Sequence, residues 1–344
     1  MYRCLQLARI GDGHVAPNPM VGAVIVHNDR IIGEGYHQRY GEAHAEPNAL
    51  NSVTEKELLK ESTMYVNLEP CSHFGKTPPC ANLIISQGIP KIVIGTMDPN
   101  PKVAGRGIEL LREAGIEVIT GVLENECNEL NKRFFIWQRE NRPFVLLKWA
   151  QTRDGFIDEY RTTIGKGPVQ ISNLLTKQFT HKYRAQNQSI MVSTNTAVLD
   201  NPSLSVRRWA GKNPIRVILD RSGRIPTNYH VFDESVRTLI FTERTDRVSS
   251  EKLEYLIIDF SANVIQQVLT LLAQKNIHSV LVEGGSQLLS SFIQSGMWDE
   301  AHVEISTKEL GQGVPAPTPG VLMERSGFVE QHHWIDYKNR STKF

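Results

Sequence analysis

Nowhere does this 344-residue sequence hold an apolar run approaching the ~20 residues that cross a bilayer, so no membrane partner is expected. Its opening stretch, MYRCLQLARIGDGH, interleaves charged and apolar residues and lacks the continuous apolar centre of a secretion signal. Cysteine is scarce, with only Cys4, Cys71, Cys80 and Cys127. Four thiols in so long a chain, without a secretion signal, point to free cysteines or metal ligands and not to a disulfide framework. A cytoplasmic protein is the expectation. Excess charge of one sign is missing too: 38 Lys and Arg oppose 37 Asp and Glu, a net charge of +1. That balance argues against a nucleic-acid partner, which would call for a basic surplus or stripe. Internal repeats and low-complexity tracts are absent, and no Gly-x-Gly-x-x-Gly follows the first strand of the second half.

What is present fills two domains, since the length exceeds one ordinary core and apolar residues make up 40% of the chain. Residues 2–10 read as a short helix. The segment 21–37 reads as two strands around an Asn28-Asp29 turn. A helix beginning near Pro47, a strand at 63–69, a helix at 81–88 closed by Gly88, a strand at 91–95 and a helix at 103–115 follow. A hairpin leading into alternating units of this kind indicates an α/β layered domain. Residues 124–141 read as one long amphipathic helix with Leu130, Phe134 and Trp137 on a shared face, broken at Asn141-Arg142-Pro143. The boundary is therefore set between domains 1–142 and 143–344. In the second, strands are expected at 143–152, 189–194, 215–220, 238–243, 255–260 and 279–285, with helices near 172–185, 262–275 and 285–295 and a loop at 311–320. Several of these strands are apolar throughout, which suits a largely parallel sheet covered on both faces.

Three pieces carry the chemistry of the first half: His44-Ala45-Glu46, Pro70-Cys71 and Cys80. One imidazole and two thiolates make a three-ligand zinc site with a fourth position left for water. Zinc lowers the pKa of such a water to about 7, and Glu46 is placed to carry its proton to a leaving amine. His44 and Glu46 would diverge in a mature helix, but at a helix entry opened by Pro47 they can converge. Pro79 likewise suits a helix start at Pro78–Cys80, where the positive end of the dipole and the metal would both favour a thiolate. A closed structural zinc site would need a fourth protein ligand, for which His73 is the nearby candidate. Cys4 and Cys127 have no such context and are read as packed thiols.

The H-x-E and P-C pair resembles the zinc nucleobase deaminases, except that their C-x-x-C is widened here to Cys71-x8-Cys80. With that spacing, the runs PNPMVGAVIV, GEGYHQRYGEAHAE, LEPCSHFGKTPPC and DPNPKVAGRG resemble the bifunctional deaminase–reductase family of riboflavin biosynthesis, a likeness covering nearly the whole chain. The resemblance implies a cytidine-deaminase-like three-layer α/β/α domain followed by a dihydrofolate-reductase-like α/β domain. It implies zinc-dependent hydrolytic deamination of 2,5-diamino-6-ribosylamino-4(3H)-pyrimidinone 5′-phosphate. NADPH-dependent reduction of the ribose to a ribityl chain would follow, usually in a dimer or tetramer. Carried over, His44, Cys71 and Cys80 hold zinc and Glu46 shuttles the proton. Asn18 and His37 contact the pyrimidine, and His73 and Lys76 face the ribose phosphate.

In the second half the local signal is VEGGSQLL, a strand, a Gly284-Gly285 turn and a helix whose first amides can hold a phosphate. The resemblance extends through RAQNQSIMVSTNTAVLDNPSLSVR. It implies a substrate side of Pro168, Arg184, Leu204, Arg207 and Glu283. The implied cofactor side comprises Ala150, Gln170, Thr196, Asp200, Gly285, Ser286, Gln287, Leu288, Leu289, Ser290 and Ser291. Two departures stand out: FIDEYRTTIGKGPVQ after Asp154-Gly155 is longer and more acidic than the family pattern, and the usual W-I-[ST] is Gln170-Ile171-Ser172. These leave open an alternative in which only the deaminase works and the second domain is a degenerate binding or oligomerisation module.

Overall fold

The computed structural model describes all residues except 73–77, 101–103, 162–165 and 340–344. The chain divides into two compact units, residues 1–141 and the residues from 142 onward. Among the described residues no helix is long and apolar enough to cross a membrane.

The first unit runs α1 (Tyr2–Ile10), β1 (Gly22–His27), β2 (Arg30–Tyr36), α2 (Ala45–Ser52), β3 (Thr63–Leu68), α3 (Cys80–Ser86), β4 (Lys91–Thr96), α4 (Arg106–Glu113), β5 (Glu117–Ile119), α5 (Glu124–Leu130) and α6 (Lys132–Glu140). Asn28 and Asp29 both take positive φ, 47° and 60°, the backbone that a two-residue hairpin turn demands. The sheet order is β2-β1-β3-β4-β5, antiparallel across β2, β1 and β3 and parallel from β3 to β5. Alternation along β1 splits the core. Ala23 and Ile25 pack with Ala49, Leu50, Ile84 and Leu111 of α2, α3 and α4, whereas Val24 packs with Cys4 and Leu7 of α1. The result is the expected three-layer α/β/α arrangement. Cys4 and Cys127 are fully buried, and burial pushes their thiols up to about 11 and about 12, as inert core sulfurs should be.

The helix expected near Pro47 starts at Ala45, with Pro47 in its first turn as anticipated. One sequence expectation needs correction here. The single helix expected over 124–141 is two helices interrupted at Asn131, and its buried residues are Cys127, Phe135 and Ile136, while Leu130, Phe134 and Trp137 are half-buried. The cause is the Asn131 side chain: it accepts the Met20 N–H at 2.8 Å and donates to the Met20 carbonyl at 2.9 Å. A long-range anchor has displaced local periodicity.

The second unit contains β6 (Phe144–Gln151), β7 (Phe156–Asp158), α7 (Leu174–Gln186), β8 (Ser189–Val192), α8 (Thr194–Asp200), β9 (Ile215–Leu219), β10 (Thr238–Thr242), β11 (Leu253–Ile257), α9 (Val264–Gln274), β12 (Ser279–Val282), α10 (Ser286–Ser295), β13 (Glu300–Ile305), β14 (Val314–Pro315), β15 (Met323–Val329) and β16 (His332–Lys338). Nine of these strands form one sheet in the order β11-β10-β9-β8-β12-β6-β13-β16-β15, parallel as far as β13 and closed by an antiparallel hairpin. The strand expected at 255–260 is shifted to 253–257. Helix α8 and the C-terminal strands carry no strong local pattern and were not legible in the sequence. One sheet face packs Val145, Leu147, Trp149, Val280 and Val282 against Leu269, Leu272, Leu289 and Phe292 of α9 and α10. Lys148 and Ala150 alternate onto the opposite face.

Candidate active sites

The first site is assembled at two helix entries. His44 is the N-cap of α2, in extended backbone geometry, and Glu46 lies in the first turn. Asn48 ties that turn to β2 by donating to the Tyr36 carbonyl at 2.8 Å, and a Cβ on Gly35 would stand 2.2 Å from the Ala49 nitrogen. Only glycine permits that approach. Cys80 opens α3, and its N–H donates to the Cys71 sulfur at 3.3 Å, while the Ala81 N–H reaches the Cys71 carbonyl at 3.2 Å. The His44 Nδ1 is 3.6 Å from Cys71 Sγ and 3.4 Å from Cys80 Sγ, and all three ligand atoms lie within 4.8 Å of one another. One nitrogen and two sulfurs in this spacing fit the donor chemistry of zinc.

Electrostatics agree with that geometry. Glu46 is 3% exposed, and its burial, reinforced by Cys71, pushes the carboxyl up to about 7. The hydrogen bond from Cys80, together with those from His44 and the Cys80 amide, pulls the Cys71 thiol down against its burial; Cys80 is pushed up by the same partnership. His37 is buried with its Nδ1 on the Ala43 carbonyl at 3.0 Å and its Nε2 on the Asn18 amide nitrogen at 3.1 Å. Burial lowers its pKa, and the two partners define a neutral ring that donates through Nδ1 and accepts through Nε2. The structure thus brings Asn18, His37, His44, Glu46, Cys71 and Cys80 into one region; His73 and Lys76 lie outside the described residues.

Sequence reasoning missed the supports of this site. Asn67 and Asn131, both buried, clamp the segment carrying Asn18: Asn67 accepts the Gly22 N–H at 2.7 Å and donates to the Met20 carbonyl at 3.1 Å, beside the two bonds from Asn131. Glu69 at the end of β3 accepts four backbone N–H groups, from Asp98 (3.1 Å), Gly105 (3.0 Å), Gly107 (2.9 Å) and Ile108 (3.4 Å). It thereby fixes the start of α4 against the Pro70 carbonyl, which a Cβ on Gly107 would meet at 2.2 Å. An acidic residue one step before Pro70-Cys71 was the available signal.

The second site is a cleft of about 540 Å³ at the C-terminal ends of β6, β8 and β12. Ala150, Pro168, Gln170, Thr196, Asp200, Glu283, Gly285, Ser286, Gln287 and Leu289 all line it. Helices α8 and α10 both open onto it. Gly285 sits at φ +60, where a Cβ would meet the Ser193 hydroxyl at 2.8 Å, and a Cβ on Gly284 would meet Thr196 at 3.1 Å. The bare Gly284-Gly285 backbone that opens α10, beside the Ser193-capped start of α8, is a cradle suited to the phosphates of a dinucleotide. Leu288 and Ser291 line a neighbouring hollow with Arg221 and Arg224, and Ser290 lines neither. Leu204 and Arg207 also lie off the cleft lining, in a cluster with Arg184. There the Arg207 N–H donates to His181 Nδ1 at 3.1 Å, and Arg184 donates to the Ser205 carbonyl at 3.1 Å and grips Glu283 through Nε and Nη2 at 2.8 and 2.6 Å.

The two departures in this half acquire a structure. Asp158 accepts from Arg161 Nε at 2.6 Å and from the Val169 N–H at 3.0 Å, and Arg161 Nη2 reaches Asp200 at 2.6 Å. Gln170 turns toward α7, where its Oε1 accepts from Lys177 at 2.6 Å. Lys148, also unread in the sequence, is a buried ammonium in the cleft wall.

Two protein-family models match the chain: the cytidine and deoxycytidylate deaminase zinc-binding region over residues 1–96, and the RibD C-terminal domain over residues 143–339. The riboflavin biosynthesis protein RibD of Bacillus amyloliquefaciens is 41% identical over 337 residues, covering 95% of this chain and 88% of that protein. The chain belongs to the RibD family. The RibD of Escherichia coli strain K12 is 36% identical, across 90% of this chain and 88% of the relative. A solved Thermotoga maritima structure, described as a diaminohydroxyphosphoribosylaminopyrimidine deaminase/5-amino-6-(5-phosphoribosylamino)uracil reductase, superposes with a TM-score of 0.88 at 39% identity, covering 98% of this chain and 97% of its own. As a RibD protein the chain is a bifunctional enzyme of riboflavin biosynthesis, a zinc-binding deaminase region followed by a reductase domain. The match of the second half to the RibD C-terminal domain favours two activities over the deaminase-only alternative.

Proposed function

We propose that the first unit deaminates 2,5-diamino-6-ribosylamino-4(3H)-pyrimidinone 5′-phosphate and that the second reduces the ribose of the product, giving 5-amino-6-ribitylaminouracil 5′-phosphate. The observation that carries this reading is the convergence of His44, Cys71 and Cys80 beside the buried carboxyl of Glu46. These three residues would hold zinc, which when bound supplies the Lewis acidity that makes water acidic near neutral pH. Glu46, with its carboxyl near about 7, takes the proton from water and hands it to the departing amine, which leaves as ammonia. Asn18 and His37 hold the pyrimidine edge, their own mutual bond keeping both oriented. His73 and Lys76 are assigned to the ribose phosphate on the family resemblance alone.

In the second unit the cleft would hold NADPH along Ala150, Gln170, Thr196, Asp200 and residues 285–291, and NADPH supplies a hydride. This chain's part is orientation. Glu283, fixed by Arg184, and Pro168 face the sugar, while Leu204 and Arg207 bound the phosphate end. The resemblance and the balanced charge support a cytoplasmic homo-oligomer, dimer or tetramer, with no nucleic-acid or membrane partner.

A coupled assay tests the reading. With the diaminopyrimidine phosphate and NADPH supplied together, NADPH absorbance should fall only after deamination, and a zinc chelator should abolish both signals. Supplied with the already deaminated uracil, the chelated protein should still oxidise NADPH. No NADPH consumption with either substrate would overturn the reductase assignment.

A further inference from the structure

Lys148 lies on the sheet face opposite the α9–α10 core, in the wall of the reductase cleft, and two carboxylates flank it: Glu283 on the β12 side and Glu304 on the β13 side. The Glu283 oxygens are both gripped by Arg184. Glu304 is differently engaged. It is 3% exposed, and its Oε2 accepts the Ser172 hydroxyl at 2.6 Å and lies 3.9 Å from Lys148 Nζ. Its Oε1 meets His332 Nδ1 at 2.7 Å. Burial alone would raise this carboxyl, yet Lys148, Ser172, Thr176 and His332 together hold it below its ordinary value, so it is an anion in the folded enzyme. A lysine is a point charge on four flexible carbons and needs such an anchor to be held at a fixed point. Ser172 follows Gln170 and Ile171 on the opposite wall of the cleft, so one carboxylate ties together β6 and the segment 168–172.

We infer that Glu304, steadied by the Ser172 hydroxyl, is a positioning residue for the reduction, acting by holding Lys148 at the cleft. The inference rests on the cleft being the reductase site. Removing the charge of Glu304 takes away that anchor while Glu283, whose charge also interacts with Lys148, stays in place, so the lysine side chain should shift toward Glu283. Displacing a group at a reacting centre by about 1 Å costs on the order of 10²-fold in turnover.

The test uses the full-length chain with the deaminated uracil phosphate and NADPH, deaminase activity being followed in the same preparation. Glu304→Gln should lower reductase kcat by about 10²-fold, leave the NADPH KM within about twofold, and leave deamination unchanged. Lys148→Met sets the second arm. In that background Glu304→Gln should cost nothing more, because its effect passes through Lys148. Equal losses in both backgrounds, or a full kcat in Glu304→Gln, would overturn the inference. A fully active Lys148→Met would overturn it too, whereas an unchanged NADPH KM in Gly285→Ala would overturn the assignment of the cleft. If Glu304→Gln fails to fold, Ser172→Ala reads the same coupling: about tenfold in kcat alone and none beside Lys148→Met, with additivity again the overturning result.

Discussion

Replacing Glu69 with glutamine should loosen the start of α4 without touching a metal ligand. The native carboxylate accepts through both oxygens: Oε1 from Gly107 and Ile108, and Oε2 from Asp98 and Gly105. An amide offers one oxygen. If that oxygen stays with the fully buried pair at Gly107 and Ile108, the NH2 group confronts the Asp98 and Gly105 donors. Bonds to a charged acceptor are each worth about 1.5–3 kcal/mol, and a donor left without a partner costs about 1–3 kcal/mol, less where water can reach it. Two partly buried donors therefore set a local loss of about 2–3 kcal/mol. At about 1.4 kcal/mol per tenfold, amide exchange over residues 104–113 should accelerate by about 10²-fold. Hydrogen-exchange mass spectrometry on the full chain measures this directly, with the β1–β2 hairpin as internal reference. Deamination should fall as well, because the same contact seats α4 against the Pro70 carbonyl next to Cys71. Exchange within twofold of the parent in a folded Glu69→Gln protein would refute the reasoning.

Glu46→Gln should retain zinc and reductase turnover but lose deamination by about 10²–10⁴-fold, measured by ammonia release beside metal content; normal ammonia release would remove Glu46 from proton transfer. Gly285→Ala places a Cβ at φ +60 and 2.8 Å from Ser193 Oγ, so the NADPH KM should rise at least several-fold with deamination untouched, and an unchanged KM would refute the cradle. Burial, with help from Arg184 and Arg207, lowers His181 to about 4 from its ordinary 6.5. Because the unfolded state then binds the extra proton, this contribution is complete above pH 6.5 and is lost as pH falls toward about 4. His181→Gln, which can still accept the Arg207 N–H, should flatten that acid limb in urea titrations of the second unit; an unaltered slope would contradict it.

How far the sequence led depended on whether a residue's partner was near it in the chain. The candidate zinc ligands were readable because His44 and Cys80 each mark a helix start, and Pro47 and Pro79 announce those starts locally. The hairpin was readable from Asn28-Asp29 for the same reason. Asn131 was not, because its partner Met20 is 111 residues away and nothing nearby distinguishes it from a solvated asparagine. Lys148 was hidden inside an apolar strand, and its anchor Glu304 sits on a strand without a strong pattern of its own. The odd residues of the 156–170 segment were noticed, but Arg161 could only be understood once Asp158 and Asp200 were seen on either side of it.

The clamp on Met20 has a consequence for the conditions under which the first site keeps its shape. Asn67 and Asn131 carry no charge at any pH, and both are closed off from solvent. Added salt weakens attractions between exposed charges but has little hold on buried amide–carbonyl bonds. The loop presenting Asn18 should therefore hold its conformation in concentrated salt and in mild acid. Under such stress the titratable ring of His37 and the imidazole and thiols of the candidate metal site would change first, and the amide clamp on Met20 would outlast them.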